Sequence, residues 1–253
     1  DLRMSRGLGD VYKRQTLRGM YIQEYLIYMC EGPSDIWIGH QGHEQWYNWT
    51  IDATNADVRS FWYSCYKSVN QCNAVIESLE NNDIPGLDED LKTRFLAESL
   101  FIRAHYFYHL VQQFGDIPMP LKPTNSVETT AHKTKVDEVW NQIVTDLEFA
   151  VENLPETYQA SEFGHITKYA AMHHLSRVYL TLKRSDDDLK KALNYAEQVI
   201  NSGKYSLVKS HAELWDINNK NNSEVLFSVL YTQNAELNGD GNTAHMYFCS
   251  AYS

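Results

Sequence analysis

The strongest constraint in this sequence is a helical period that keeps restarting. Apolar side chains recur at i, i+3, i+4 and i+7 in successive stretches, each followed by a stop signal. Met20, Tyr21, Tyr25, Tyr28 and Met29 form a short stripe ended by Gly32-Pro33. Trp62, Cys65, Tyr66, Val69, Asn73, Ile76 and Leu79 share one helix face. Leu91, Phe95, Ile102, Arg103, Tyr106, Phe107, Leu110, Val111 and Phe114 lead to Gly115 and Pro118. Val136, Val139, Trp140, Ile143, Val144, Leu147 and Val151 run to Leu154-Pro155. Two further helices, about 167–183 and 188–201, are joined by the charged turn 184–187, with Gly203 placed to close the second. Small residues at Ala170, Ala171, Ala192 and Ala196 let this last pair approach closely, as in tetratricopeptide hairpins. Only Glu224–Tyr231 reads as a strand. The predicted fold is therefore mainly α, a tetratricopeptide-like bundle of helix pairs with long loops and a minor strand near the C-terminus. The long loops are 33–59 and 116–134, a length usually reserved for function or disorder.

Composition removes several classes of function. Apolar residues make up 43% and charged residues 22% of the chain, too rich in core-forming side chains for intrinsic disorder. The formal charge is −11 and no basic stripe is present, which argues against nucleic acid as a partner. No apolar run reaches the length of a membrane span. The four cysteines are scattered without a CxxC pattern, so they fit buried small side chains better than a zinc site or a disulfide framework. Asn73 and Arg103 lie on otherwise apolar faces, and buried polar groups need partners, so both are expected to tie neighbouring segments together. His105 and His109 stand at i, i+4 on one helix, but the general-base position of an HExxH motif is Tyr106, and no metal or other cofactor is expected. No pair of carboxylates is marked out for acid–base catalysis, and no catalytic residue is assigned.

Several blocks taken together resemble the SusD/RagB family. Ala97-Glu98-Ser99-Leu100-Phe101-Ile102-Arg103-Ala104, continuing to Phe114-Gly115-Asp116-Ile117-Pro118, is similar to that family's most distinctive helix. Trp62, Tyr66, Asn70 and Asn73-Ala74-Val75-Ile76 precede it. Val139-Trp140, Ile143, Asp146-Leu147, Ala150 and Leu154-Pro155 follow, then Gly164 to Thr167-Lys168, Arg177-Val178-Tyr179-Leu180, Ser202-Gly203, Tyr205 and Asn222-Ser223-Glu224-Val225-Leu226-Phe227-Ser228. His165 departs from the Arg usual after that glycine. The resemblance covers about residues 17–231. It implies a non-catalytic, lipid-anchored glycan-binding protein of the outer-membrane surface in Bacteroidetes-type bacteria. Such a protein captures oligosaccharide or polysaccharide for a SusC-like TonB-dependent transporter. Residues 1–15, Arg- and Gly-rich without an apolar core, read as a non-native scar. Residues 16–253 read as the SusD-like helical domain, truncated at the C-terminus and lacking the lipid-bearing cysteine.

The glycan site is expected in the loop after Ser34-Asp35, where three of the six tryptophans fall between Trp37 and Trp49. Aromatic faces pack on the C–H faces of sugar rings, and nearby polar groups bond the hydroxyls. Trp46 and Trp49 are the stacking candidates, Asn48 and His43 the hydrogen-bonding ones, with Trp37 and Tyr47 beside them. The alternative is that these tryptophans are buried and clamp the loop to the bundle. Two rival functions stay open: a tetratricopeptide-type scaffold for a protein partner, and an all-α glycoside hydrolase.

Overall fold

In the computed structural model the periodic stretches are helices wherever they are described, and several have identifiable start and stop residues. The structure describes residues 17, 20, 24–34, 43–81, 84, 86–126, 130–159, 162, 164–216 and 218–229. Residues 1–16, read above as a scar, lie outside this set, as does Cys249. The described helices are α1 (Glu24–Glu31), α2 (Glu44–Tyr47), α3 (Ala56–Asn81), α4 (Glu89–Phe114), α5 (Val136–Asn153), α6 (Lys168–Leu182), α7 (Asp186–Asn201) and α8 (His211–Leu214). None is long and apolar enough to cross a membrane. The chain divides into two compact units, one built from residues up to Val69 and the other from Asn70–Ser228.

The second unit is a series of helices that pack on their chain neighbours, α4 on α5, α5 on α6 and α6 on α7. Helix α4 is its centre. The Asp88 carboxylate caps its N-terminus by accepting from the Leu91 amide, with Glu89 and Asp90 in the first turn, and Gly115 at φ +67° closes it by donating to the Val111 carbonyl. Ala97, Phe101, Ile102, Ala104, Tyr106, Phe107 and Leu110 are buried around most of its circumference. Helix α5 contributes Val139, Ile143, Leu147 and Ala150 at helical spacing. The α6–α7 hairpin turns in three residues: Lys183 takes the left-handed conformation at φ +43°, and the Ser185 hydroxyl accepts from the Asp188 amide to start α7. The Ser176 hydroxyl donates across the hairpin to the Ala192 carbonyl at 2.8 Å, which the small residue there permits. Only one edge of the α7 stripe is buried, at Ala192 and Val199; Leu193 and Ile200 are exposed.

The two polar residues on apolar faces form one network. Arg103 on α4 donates from Nε and Nη2 to the two Asp146 oxygens of α5, both at 2.8 Å, and from Nη1 to Asn73 Oδ1 at 3.1 Å. The Asn73 amide in turn donates to the Pro120 carbonyl at 2.8 Å, pinning the long α4–α5 connection. Burial pushes the Asp146 carboxyl up, opposed by the Arg103 fork and the Gln142 amide. At its two ends the connection is tied together by Asp116, whose oxygens accept from the Val136 amide and the Lys135 ammonium.

The expected strand at Glu224–Tyr231 is not present over 224–229, which are irregular; Leu230 and Tyr231 lie outside the described residues. The segment does begin to pair, with the Ser206 amide donating to the Ser223 carbonyl at 3.0 Å. The Val208 amide is then taken by the Glu224 carboxylate at 3.1 Å, so the ladder does not continue. Cys65 and Cys72 are fully buried on α3, and burial pushes the Cys65 thiol up to about 12, which keeps it an inert core group.

Candidate functional site

The tryptophan-rich loop belongs to the first unit, and its scaffold is a single turn of helix. His43 precedes α2, and its Nδ1 lies 3.1 Å from Asp57 Oδ2 in the first turn of α3. The Trp46 indole N–H donates to the same oxygen at 2.9 Å. Gln45 accepts from the Asn55 amide at 2.8 Å, and Asn55 Oδ1 accepts from the Asp57 and Val58 amides, capping α3. One carboxylate and one carboxamide thus fix α2 against the start of α3. The His43 ring stacks on Tyr28 of α1, with centroids 3.8 Å apart and planes 13° from parallel. Gly32 completes the fit: a Cβ there would lie 2.8 Å from Trp46 Cβ and clash with the Tyr28 carbonyl.

The two stacking candidates have opposite placements. Trp46 is 4% exposed, its ring packed beneath Gly32 and its N–H spent on Asp57. Trp49 is 72% exposed. Its backbone is left-handed at φ +55°, and the next residue, Thr50, donates its amide back to the Gln45 carbonyl at 3.0 Å. That six-to-one bond is the Schellman closure of a helix, whose left-handed position is normally glycine or asparagine. A tryptophan there carries a backbone cost of about 1–2 kcal/mol. Asn48, exposed beside it, ends α2 by donating its amide to the Glu44 carbonyl, and Tyr47 is half-buried. Asp52, two residues on from Thr50, is held below the usual carboxylate range by the Thr54 hydroxyl and amide. His43, Trp46, Tyr47, Asn48 and Trp49 are therefore gathered on one turn; Trp37 lies outside the described residues. Asp57 carries no sequence signal for this site, and Tyr28, expected only as part of a helix stripe, is not marked by spacing as a contact of the loop. The signal for Asp57 was an Asn-x-Asp helix start, which reads as a cap and says nothing about the tryptophan eleven residues earlier.

His105 and His109 turn out to face a third imidazole, His174 of α6. The His105 centroid is 4.7 Å from that of His109 and 5.2 Å from that of His174. Phe101 and Tyr108 meet His174 edge-on at 5.5 and 5.0 Å, and the Arg177 guanidinium lies 5.7 Å from the Tyr108 ring. Among the described residues no three His, Cys, Asp or Glu side chains are arranged to hold a metal ion. Burial and neighbouring positive charge instead lower all three imidazoles, His109 to about 4, His174 to about 3 and His105 well below its ordinary value. His174 Nε2 is buried without a hydrogen-bond partner. This is a neutral aromatic seam between α4 and α6.

Comparison with known proteins adds what geometry alone does not give. Residues 20–180 match the SusD-like family model described as starch-binding and associating with the outer membrane. A SusD-like protein of Bacteroides ovatus is 25% identical over 226 residues, which is 83% of this chain and 39% of that protein. A second, from Formosa agariphila, is 33% identical over 171 residues, 65% of this chain and 32% of its own length. The chain thus spans about a third of the length of these relatives. Among solved structures, a laminarin-binding SusD-like protein superposes with a TM-score of 0.73 at 25% identity, covering 90% of this chain and 50% of that one. The surface glycan-binding protein A of Bacteroides fluxus gives 0.76 at 22% identity over 90% of this chain and 50% of its own.

Proposed function

Given that the chain belongs to the SusD-like family, we propose that it is the helical part of a non-catalytic surface protein that binds oligosaccharide or polysaccharide. It presents that glycan to a SusC-like TonB-dependent transporter in the outer membrane, where a lipid anchor holds the complete protein. The observation that carries the reading is Trp49, a large aromatic ring left exposed by a strained, left-handed backbone on a turn that is otherwise locked. Strain of that kind clusters at ligand sites. In this reading Trp49 stacks on a sugar face, and Asn48, Tyr47 and Trp37 complete the contact. Trp46 and His43, both at Asp57, set the angle at which the turn presents that ring.

The likeness to a laminarin-binding protein makes laminarin the first probe, with starch and xyloglucan beside it. Native gels cast with each polysaccharide should retard the protein in at least one, and Trp49→Ala should abolish the retardation while leaving the circular dichroism spectrum unchanged. Trp49→Phe, which keeps a stacking face, should retain part of it. Unchanged retardation of a well-folded Trp49→Ala protein would remove the site assignment, and release of reducing ends from a bound glycan would replace binding with hydrolysis.

A further inference from the structure

A cleft of about 260 Å³ opens within the second unit, well away in sequence from the tryptophan loop. We propose that it is a second saccharide subsite, which holds one neutral pyranose residue. The ligand class rests on the glycan-binding reading above; the site itself rests on its own geometry.

Its floor is aromatic and fixed. The Tyr205 hydroxyl shares a 3.2 Å hydrogen bond with the Thr167 hydroxyl, and its ring meets Tyr169 edge-on. Phe227 sits edge-on to Phe101 with centroids 5.9 Å apart. Neither ring has to be ordered when a sugar arrives, which removes a usual cost of binding. The back wall is set by a buried carboxylate: Glu98 Oε1 lies 2.9 Å from His165 Nδ1 and 3.1 Å from the Tyr158 hydroxyl. Arg94 lies over the Tyr158 ring, 5.2 Å from its centroid, and donates to Glu162 at 3.1 Å, so that rim carboxylate is oriented as well.

Around this floor stand groups that bond hydroxyls: Glu156 and Glu162 as acceptors, Lys204 as a donor and Gln159 as both. That mixture of a small apolar face with directional polar groups suits a polyol ring better than a hydrocarbon. The volume falls just below the ~300 Å³ at which pockets for drug-sized ligands begin, so it accommodates one sugar unit and not a chain. With the Arg94 guanidinium paired to Glu162 and the Glu98 carboxylate behind the wall both counted, three carboxylates stand against two cations, and the surroundings of the cleft are net negative by one charge. Uronic acids and sulfated sugars are therefore rejected by charge, and a neutral hexose is accepted.

The test is backbone-amide NMR of the whole chain titrated with methyl β-glucoside and, separately, with glucuronate. The expected result is saturable shifts at residues 157–159, 205 and 225–228 with the glucoside and none with glucuronate. Gln159→Ala, on the exposed rim, should weaken that response about fivefold, Tyr205→Ala should remove it, and Trp49→Ala should leave it intact. Absence of saturable shifts at these positions overturns the proposal, as does an equal response to glucuronate. Loss of the shifts in Trp49→Ala also overturns it, by showing a single site at the loop. If laminarin fails to bind in the gel while the glucoside shifts persist, the loop assignment falls and this subsite stands.

Discussion

Mild acid should loosen the seam between α4 and α6, and the expected size follows from the groups that meet there. His105 and His109 on α4 face His174 on α6, with Arg177 adding a fixed positive charge and His173 a further titratable group on α6. In the unfolded chain each imidazole titrates near ~6.5. In the folded chain His109 is lowered to about 4 and His174 to about 3. Between those values the unfolded state binds more protons, so stability is complete above pH 6.5 and is lost as pH falls towards the folded values. Linkage over the span from pH 7 to pH 5 gives roughly 2 kcal/mol for each of these two groups. Together that is a large share of the ~5–15 kcal/mol that holds a typical domain. Most carboxylates contribute little here, because their unfolded values near ~4 lie below this window, and Asp146, which burial raises, acts in the opposite sense and cannot produce the fall. Urea unfolding followed by circular dichroism at pH 7, 6 and 5 should show the midpoint falling steadily. A His109→Gln/His174→Leu variant should flatten that fall. Equal midpoints at pH 7 and pH 5, or an undiminished fall in the double variant, would refute the argument.

Two further substitutions probe the tryptophan turn. Trp49→Asn places a residue that tolerates the left-handed conformation at φ +55°, so the protein should gain about 0.5–1 kcal/mol in thermal or urea unfolding while losing glycan retardation; a loss of stability would show that the turn is not strained. Gly32→Ala drives a methyl against Trp46 and the Tyr28 carbonyl and should cost about 1–3 kcal/mol, with the Trp46 fluorescence shifted towards that of exposed indole; a neutral result would mean the α1–α2 contact is loose.

The longer helices were legible because each carries its own period and most carry a stop, as at Gly115 after α4 and Gly203 after α7. The single turns α2 and α8 are too short to show a period, and α2 fell within the expected loop 33–59. Their partners were legible where a polar residue interrupted an apolar face, as at Arg103 and Asn73. Roles within the tryptophan loop were not. Trp46 and Trp49 are three residues apart and chemically identical, yet one is placed in the core by Asp57 and Gly32, and the other is turned outwards by a backbone angle. Neither influence is encoded next to the residue it acts on. The histidine seam escaped for a similar reason, since His174 follows His109 on a different helix and nothing in the spacing links them. The strand at 224–231 was read from its apolar content, whereas pairing depends on donors that Glu224 itself takes away.

The network around Arg103 also bears on the order in which the chain folds. Its partners lie 30 residues earlier at Asn73 and 43 residues later at Asp146, so no local fragment can close it. Until α3, α4 and α5 are all in place, the guanidinium has no buried partner and is best left in water. An α4 docked one turn (~5.4 Å) out of register would strand that charge in the core, a penalty of about 3–5 kcal/mol. The network thus acts as a proofreading step late in assembly. Substitution of Arg103 by methionine should therefore speed unfolding and leave the refolding rate nearly unchanged in stopped-flow measurements. A proportionate slowing of refolding would instead place Arg103 in the nucleus.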